Sequence, residues 1–125
     1  MSHHMVCYIE FPARDLEATR TFFTEVFGWE FTKEETTPDY ITFHNPGTTG
    51  GRGKRCGGGF YQSDKVSTVA TGAGVCVIHS ECLEETLDAV KKAGGKVVRP
   101  IFTYPGGRRF HFSDPSGNEW AVCAQ

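Results

Sequence analysis

The chain has 125 residues, 38% apolar and 13% aromatic with Phe at 10 positions, enough for one hydrophobic core and too apolar for disorder. A formal net charge of -2 gives no field for nucleic acid or anionic lipid, and no apolar run approaches the roughly 18 residues that span a bilayer. Small molecules or other protein chains are therefore the expected partners, with no nucleic acid and no membrane.

Taken in order, Val6 to Phe11 is rich in strand formers and predicts a first strand ending at Pro12. Asp15 suits an N-cap. Leu16, Thr19, Phe22, Phe23, Val26 and Phe27 then repeat at helical spacing up to Gly28, a natural residue just past a helix end. Trp29 to Lys33 and Tyr40 to His44 predict two short strands around Thr37-Pro38-Asp39. Asn45 to Gly59 is dense in glycine and carries Arg52, Lys54 and Arg55. It is not a phosphate loop, because Arg55 stands where Ser or Thr would follow the lysine and no G-x-G-x-x-G opens a helix.

Gly58 to Gln62 returns to a strand, and Ser63 to Gly74 is a polar connector. Gly74 to His79 predicts a strand, and Cys82 to Ala93 a helix with Leu83, Leu87 and Val90 on one stripe, closed by Gly94-Gly95. Lys96 to Val98 reads as a strand and Pro100 to Pro105 as a loop. The chain closes on a hairpin whose turn, Asp114-Pro115-Ser116-Gly117, has type I chemistry. Before that turn the pleat sets Arg109 and His111 on one face, with Phe110 and Phe112 on the other. The two phenylalanines want a core, so Arg109 and His111 look elsewhere.

Five cysteines (Cys7, Cys56, Cys76, Cys82 and Cys123) contain no C-x-x-C pair, which points to free thiols in a reducing cytoplasm. Cys123 has no identified activating base and reads as a packed thiol rather than a nucleophile. His44, at a strand end beside the glycine-rich stretch, reads as an exposed loop histidine, and His79 as a strand-end residue.

The most informative pattern is internal. Asp15-Leu16-Glu17-Ala18-Thr19 matches Cys82-Leu83-Glu84-Glu85-Thr86 at an offset of 67 residues, and the same offset carries Gly28 to Gly95. Each half reads strand, helix, three strands. The expected fold is α+β: one domain over residues 1–125, with two βαβββ modules (about 5–62 and 74–125) pairing into a cupped mixed sheet with helices on the convex side.

Tyr8-Ile9-Glu10-Phe11-Pro12, Asp15-Leu16-Glu17-Ala18-Thr19, Phe22-Phe23, Phe27-Gly28-Trp29 and Asp114-Pro115-Ser116-Gly117-Asn118 together resemble the vicinal oxygen chelate superfamily of glyoxalase I, bleomycin-resistance proteins and extradiol dioxygenases. That resemblance implies the paired βαβββ fold, a central cavity and commonly a homodimer. It also implies His, Gln or Glu metal ligands from four strands. Carried over, these fall on Tyr8, Val75 and Ala121, with no acidic residue or histidine in Gly58 to Gln62. No divalent metal at the usual place and no cofactor are therefore expected.

Strand parity leaves Tyr8, Glu10, Arg109 and His111 as the candidate ligand-binding set. Glu10 or His111 could remove a proton next to a carbonyl, with Arg109 and Tyr8 stabilising the charge that develops. A plainer alternative makes Glu10 and Arg109 a structural ion pair, with His111 bonded to Tyr8. Three functions follow: a binder of a small organic, possibly anionic, molecule in the cup; a metal-independent lyase or isomerase using Glu10 and His111; or a glyoxalase-type enzyme whose divalent metal is held by residues not identified in the sequence.

Overall fold

A computed structural model describes residues 3–33, 36–45 and 56–125, so most of the glycine-rich stretch lies outside the described residues. Among the described residues, eight strands and two α-helices run in the order β1 (Ile9–Ala13), α1 (Leu16–Phe27), β2 (Glu30–Lys33), β3 (Tyr40–His44), β4 (Cys56–Gln62), β5 (Val77–His79), α2 (Leu83–Lys92), β6 (Lys96–Tyr104), β7 (Gly107–Ser113) and β8 (Glu119–Ala124). A short 3-10 turn, Val69–Thr71, lies in the connector between β4 and β5. The strands form two four-stranded mixed sheets with orders β1-β4-β3-β2 and β5-β8-β7-β6. Strand, helix and three strands thus occur twice, as the repeat predicts, and β1–β4 and β5–β8 are the parallel pairs.

Local chemistry sets the helix ends. Asp15 Oδ1 accepts the Ala18 N–H at 3.0 Å, satisfying one of the orphan donors of α1. Gly28 turns left-handed at φ 71°, where a side chain would be strained, and returns its N–H to Phe23 and Thr24 carbonyls. In α2 the left-handed residue is Gly94, one residue before the Gly95 that the repeat matches to Gly28, and the helix ends at Lys92. Its acidic first turn, Glu84 and Glu85, and basic last turn, Lys91 and Lys92, complement the helix dipole.

Two strands run through prolines where the sequence predicts a stop. β1 continues past Pro12 to Ala13, and β6 continues from Lys96 through Pro100 to Tyr104. Both are outer strands of their sheets, where a missing N–H is tolerated. Around Pro100 the β6–β7 register slips twice, between Val97 and Arg99 and again between Arg99 and Phe102.

One core serves both modules. Trp120 in β8 stacks near Phe11 of β1 at 4.3 Å, Phe23 of α1 at 4.9 Å and Phe60 of β4 at 6.1 Å between ring centroids. Phe22 of α1 meets Phe112 of β7 at 5.7 Å. Polar bonds reinforce the joint: Asn118, fully buried, donates to the Pro12 carbonyl at 2.6 Å and accepts the Ser67 N–H at 2.9 Å. The helices cover the aromatic face of each sheet, and among the described residues no α-helix covers the opposite, open faces.

Candidate functional site

The open face of the first sheet gathers hydroxyls and a carboxylate. β1 lies beside β4 with Glu10 opposite Gly59, and β3 lies on the other side with Thr42 opposite the same glycine. Tyr40 lays its ring across Gly59, where a Cβ would collide with the phenol, so that glycine makes room for the cluster. Tyr40 donates to Glu10 Oε2 at 2.8 Å. Its single proton is then spent, so the 2.5 Å contact with Tyr8 has the Tyr8 hydroxyl as donor. Partial burial, followed by these two partners, pushes the Tyr40 phenol well above its ordinary range, which keeps it neutral.

His44 lies on this face as well. It is buried, with 4% of its surface exposed, and its Nε2 meets Thr32 Oγ1 at 3.2 Å while Nδ1 has no partner. The exposed loop histidine expected at this position is instead a core-edge residue, because β2 reaches far enough to cover it.

On the second sheet, β7 is flanked by β6 and β8, with Arg109 opposite Phe102 and Cys123, and His111 opposite Arg99 and Ala121. His111 is buried and its Nδ1 lies 2.8 Å from Glu119 Oε2. Glu119 Oε1 in turn accepts the Val69 N–H at 3.1 Å. His111 Nε2 and Arg109 Nε are both buried without a hydrogen-bond partner. Arg109 holds its guanidinium 5.5 Å from the centre of the Phe102 ring and 5.4 Å from that of Tyr104, while Arg99 sits 3.6 Å over Phe102. Neither arginine forms an ion pair with a described carboxylate.

The predicted set thus falls into two groups. Tyr8 and Glu10 meet through Tyr40 on the first sheet, and Arg109 and His111 share the second. Among the described residues no hydrogen bond or ion pair joins the groups, and the Glu10–Arg109 and His111–Tyr8 contacts of the plainer alternative do not form. The predicted set lacks Tyr40 on the first sheet and Glu119 on the second. The hairpin turn itself signals the latter: closing on Asp114 and Gly117, it fixes Ser113 opposite Glu119 and sets Glu119 diagonal to His111 on one face.

The family-implied metal positions carry the wrong donors. Ala121 is a buried methyl group, β4 offers no acidic or imidazole side chain, and the Tyr8 phenol is engaged with Tyr40. Among the described residues no three His, Cys, Asp or Glu side chains cluster as a cation site. These residues do not fit a divalent metal at that place.

A separate cleft of about 360 Å³ opens where the first strands of the two modules approach, lined by Ile9, Phe27, Trp29, Phe43 and Ile78 with Cys76. Asn45 and His79 add polar groups to its mainly apolar wall, and burial pushes the Cys76 thiol up, away from thiolate chemistry. The convergent polar groups are on the open faces, which makes these the stronger candidate site.

The profile of the Glyoxalase/Bleomycin resistance protein/Dioxygenase superfamily matches residues 3–122. The chain belongs to that superfamily. Within it, the chain is 27% identical to a glyoxylase-like domain-containing protein of Didymella fabae, covering 98% of this chain and 95% of that one. Two solved structures share the fold at low identity. The fosfomycin resistance protein FosX of Listeria monocytogenes is 16% identical with a TM-score of 0.73, covering 100% of this chain and 95% of its own. TnmS3, an antibiotic binding protein from Streptomyces sp. CB03234, is 16% identical with a TM-score of 0.69, covering 99% and 98%.

Proposed function

We propose that this superfamily member binds a small organic anion against the open face of its second sheet, with Arg109 as the principal contact and no divalent metal at the usual position. The observation that carries this is the Arg109 guanidinium, partly buried on two aromatic rings, with an unpartnered Nε and no described carboxylate to neutralise it. A buried donor without an acceptor costs about 1–3 kcal/mol, more when charged, and an anionic ligand removes that cost. The similar fold of TnmS3, described as an antibiotic binding protein, supports a binding role. Tyr8 and Glu10 supply hydroxyl and carboxylate contacts from the first sheet.

The test is a calorimetric screen of small carboxylates and phosphonates with the intact chain and Arg109→Met. Binding that weakens about 10- to 100-fold in the variant supports the reading, by the strength of charge-assisted bonds. Equal affinity in the two proteins overturns it.

His111 supports a second reading, a lyase or isomerase acting by proton transfer next to a carbonyl. Its Nε2 is buried with no hydrogen-bond partner, Arg109 lies two residues away on the same strand, and Glu10 is the other candidate base. Turnover surviving both His111→Ala and Glu10→Gln sinks it.

We further propose a cytoplasmic homodimer. Tyr8, Tyr61 and Val77 are each more than a third exposed on the open faces, where a second copy would cover them and bring the two polar groups to a shared cavity. Cys7, Cys76, Cys82 and Cys123 are free thiols, in keeping with a reducing compartment. No described helix is long and apolar enough to cross a membrane. Light scattering at micromolar concentration reads the assembly, and a monomer refutes it.

A further inference from the structure

We infer that Glu119 is the positioning residue of the second sheet: it locks His111 with its proton on Nδ1 and so presents Nε2 as a proton acceptor to whatever occupies the site. The geometry puts a proton on Nδ1. Glu119 Oε2 lies 2.8 Å from His111 Nδ1, and a carboxylate oxygen only accepts, so Nδ1 is the protonated atom. Glu119 is itself held, because its other oxygen accepts the Val69 N–H at 3.1 Å and the side chain is largely buried. A neutral imidazole with Nδ1–H has its lone pair on Nε2, and that atom is buried with no partner.

The groups around the ring suit that role. From β7 itself comes Arg109, from β6 Arg99 directly opposite His111, and from β8 Glu119 and the small Ala121. Two guanidiniums beside the ring attract an anion, and Nε2 then meets a donor on the same molecule. The ligand class is a small acid that carries a hydroxyl or an acidic C–H next to its anionic group. This deepens the binding reading and rests on it, but the tautomer is a property of the ligand-free protein and is measured without any ligand.

Glu119→Gln tests this, because its single carbonyl cannot serve both the Val69 N–H and the His111 Nδ1–H. With the carbonyl on the Val69 N–H, the amide NH₂ faces His111 Nδ1. Nδ1 then has to accept, and the ring proton moves to Nε2. Long-range proton–nitrogen NMR on histidine-labelled protein at neutral pH reads both ring nitrogens directly. The expected result is Nδ1–H in the wild type and Nε2–H in E119Q, with the His44 signals unchanged as proof that the fold is intact. Nε2–H in the wild type, alone or together with Nδ1–H, overturns the assignment. Should E119Q fail to fold, the wild-type tautomer alone decides. A wild type that shows Nδ1–H yet binds small acids equally well without Arg109 overturns the binding reading and leaves Glu119 in place.

Discussion

The two modules place a buried histidine at matching points and treat it differently. The 67-residue offset that aligns the helices also carries His44 to His111, each on the open face of the third strand of its module. His44 meets the hydroxyl of Thr32, which can donate or accept, so its tautomer stays unassigned. His111 meets the carboxylate of Glu119, which can only accept. One duplicated position has thus become a packed, switchable imidazole in the first sheet and an oriented one in the second. The surrounding charge follows the same division: the first face holds Glu10 and phenols, the second Arg99 and Arg109.

Breaking the joint between the modules should produce the largest effect. Asn118→Ala leaves the Pro12 carbonyl and Ser67 N–H buried without a partner, a loss of about 3 kcal/mol or more. Urea denaturation checks this, and a loss under 1 kcal/mol would mean that the modules do not depend on that side chain. Next comes Thr32→Val, which keeps the side-chain shape but removes the described hydrogen-bond partner of His44, at an expected cost of about 1–2 kcal/mol by the same measurement. The first-sheet histidine should lose stability while small-acid affinity stays unchanged.

A smaller effect is expected at alkaline pH. The folded-state value of Tyr40 is raised, so above about pH 10 the unfolded chain gives up its phenolic proton first and folding weakens as pH rises. Thermal melts between pH 9 and 11, on a scale set by the usual tyrosine range, should show a flatter decline for Tyr40→Phe. The smallest change belongs to Arg108→Ala on the convex side. Its bridge to Glu84, at 2.6 Å, is surface-exposed, and the denaturation midpoint should not move measurably.

Elements governed by local rules were legible in the sequence. Asp15 caps α1 as its position predicts, the Asp114–Gly117 turn closes with a 2.9 Å bond, and Phe110, Phe112, Trp120 and Val122 pack under the helices. Features set by neighbouring strands were not. Pro100 reads as a loop until β6 is seen to be an outer strand with two register slips, and His44 reads as exposed until β2 lies beside it. Tyr8, Glu10, Arg109 and His111 could be picked out by alternation, whereas the Tyr40 link and the Glu119 clamp depend on which strand ends up next to which.

The irregular course of β6 bears on solubility. At nine residues it is the longest strand, and one of its edges has no partner in the sheet, the usual setting for chain-to-chain stacking into aggregates. Pro100 removes a donor from the middle of that strand, the register slips bend it, and Lys96 and Arg99 line it with charge. A proline that looks like a flaw in the strand thus acts as a gatekeeper against fibrillar growth, and Pro100→Val should give a protein that folds but precipitates sooner on storage.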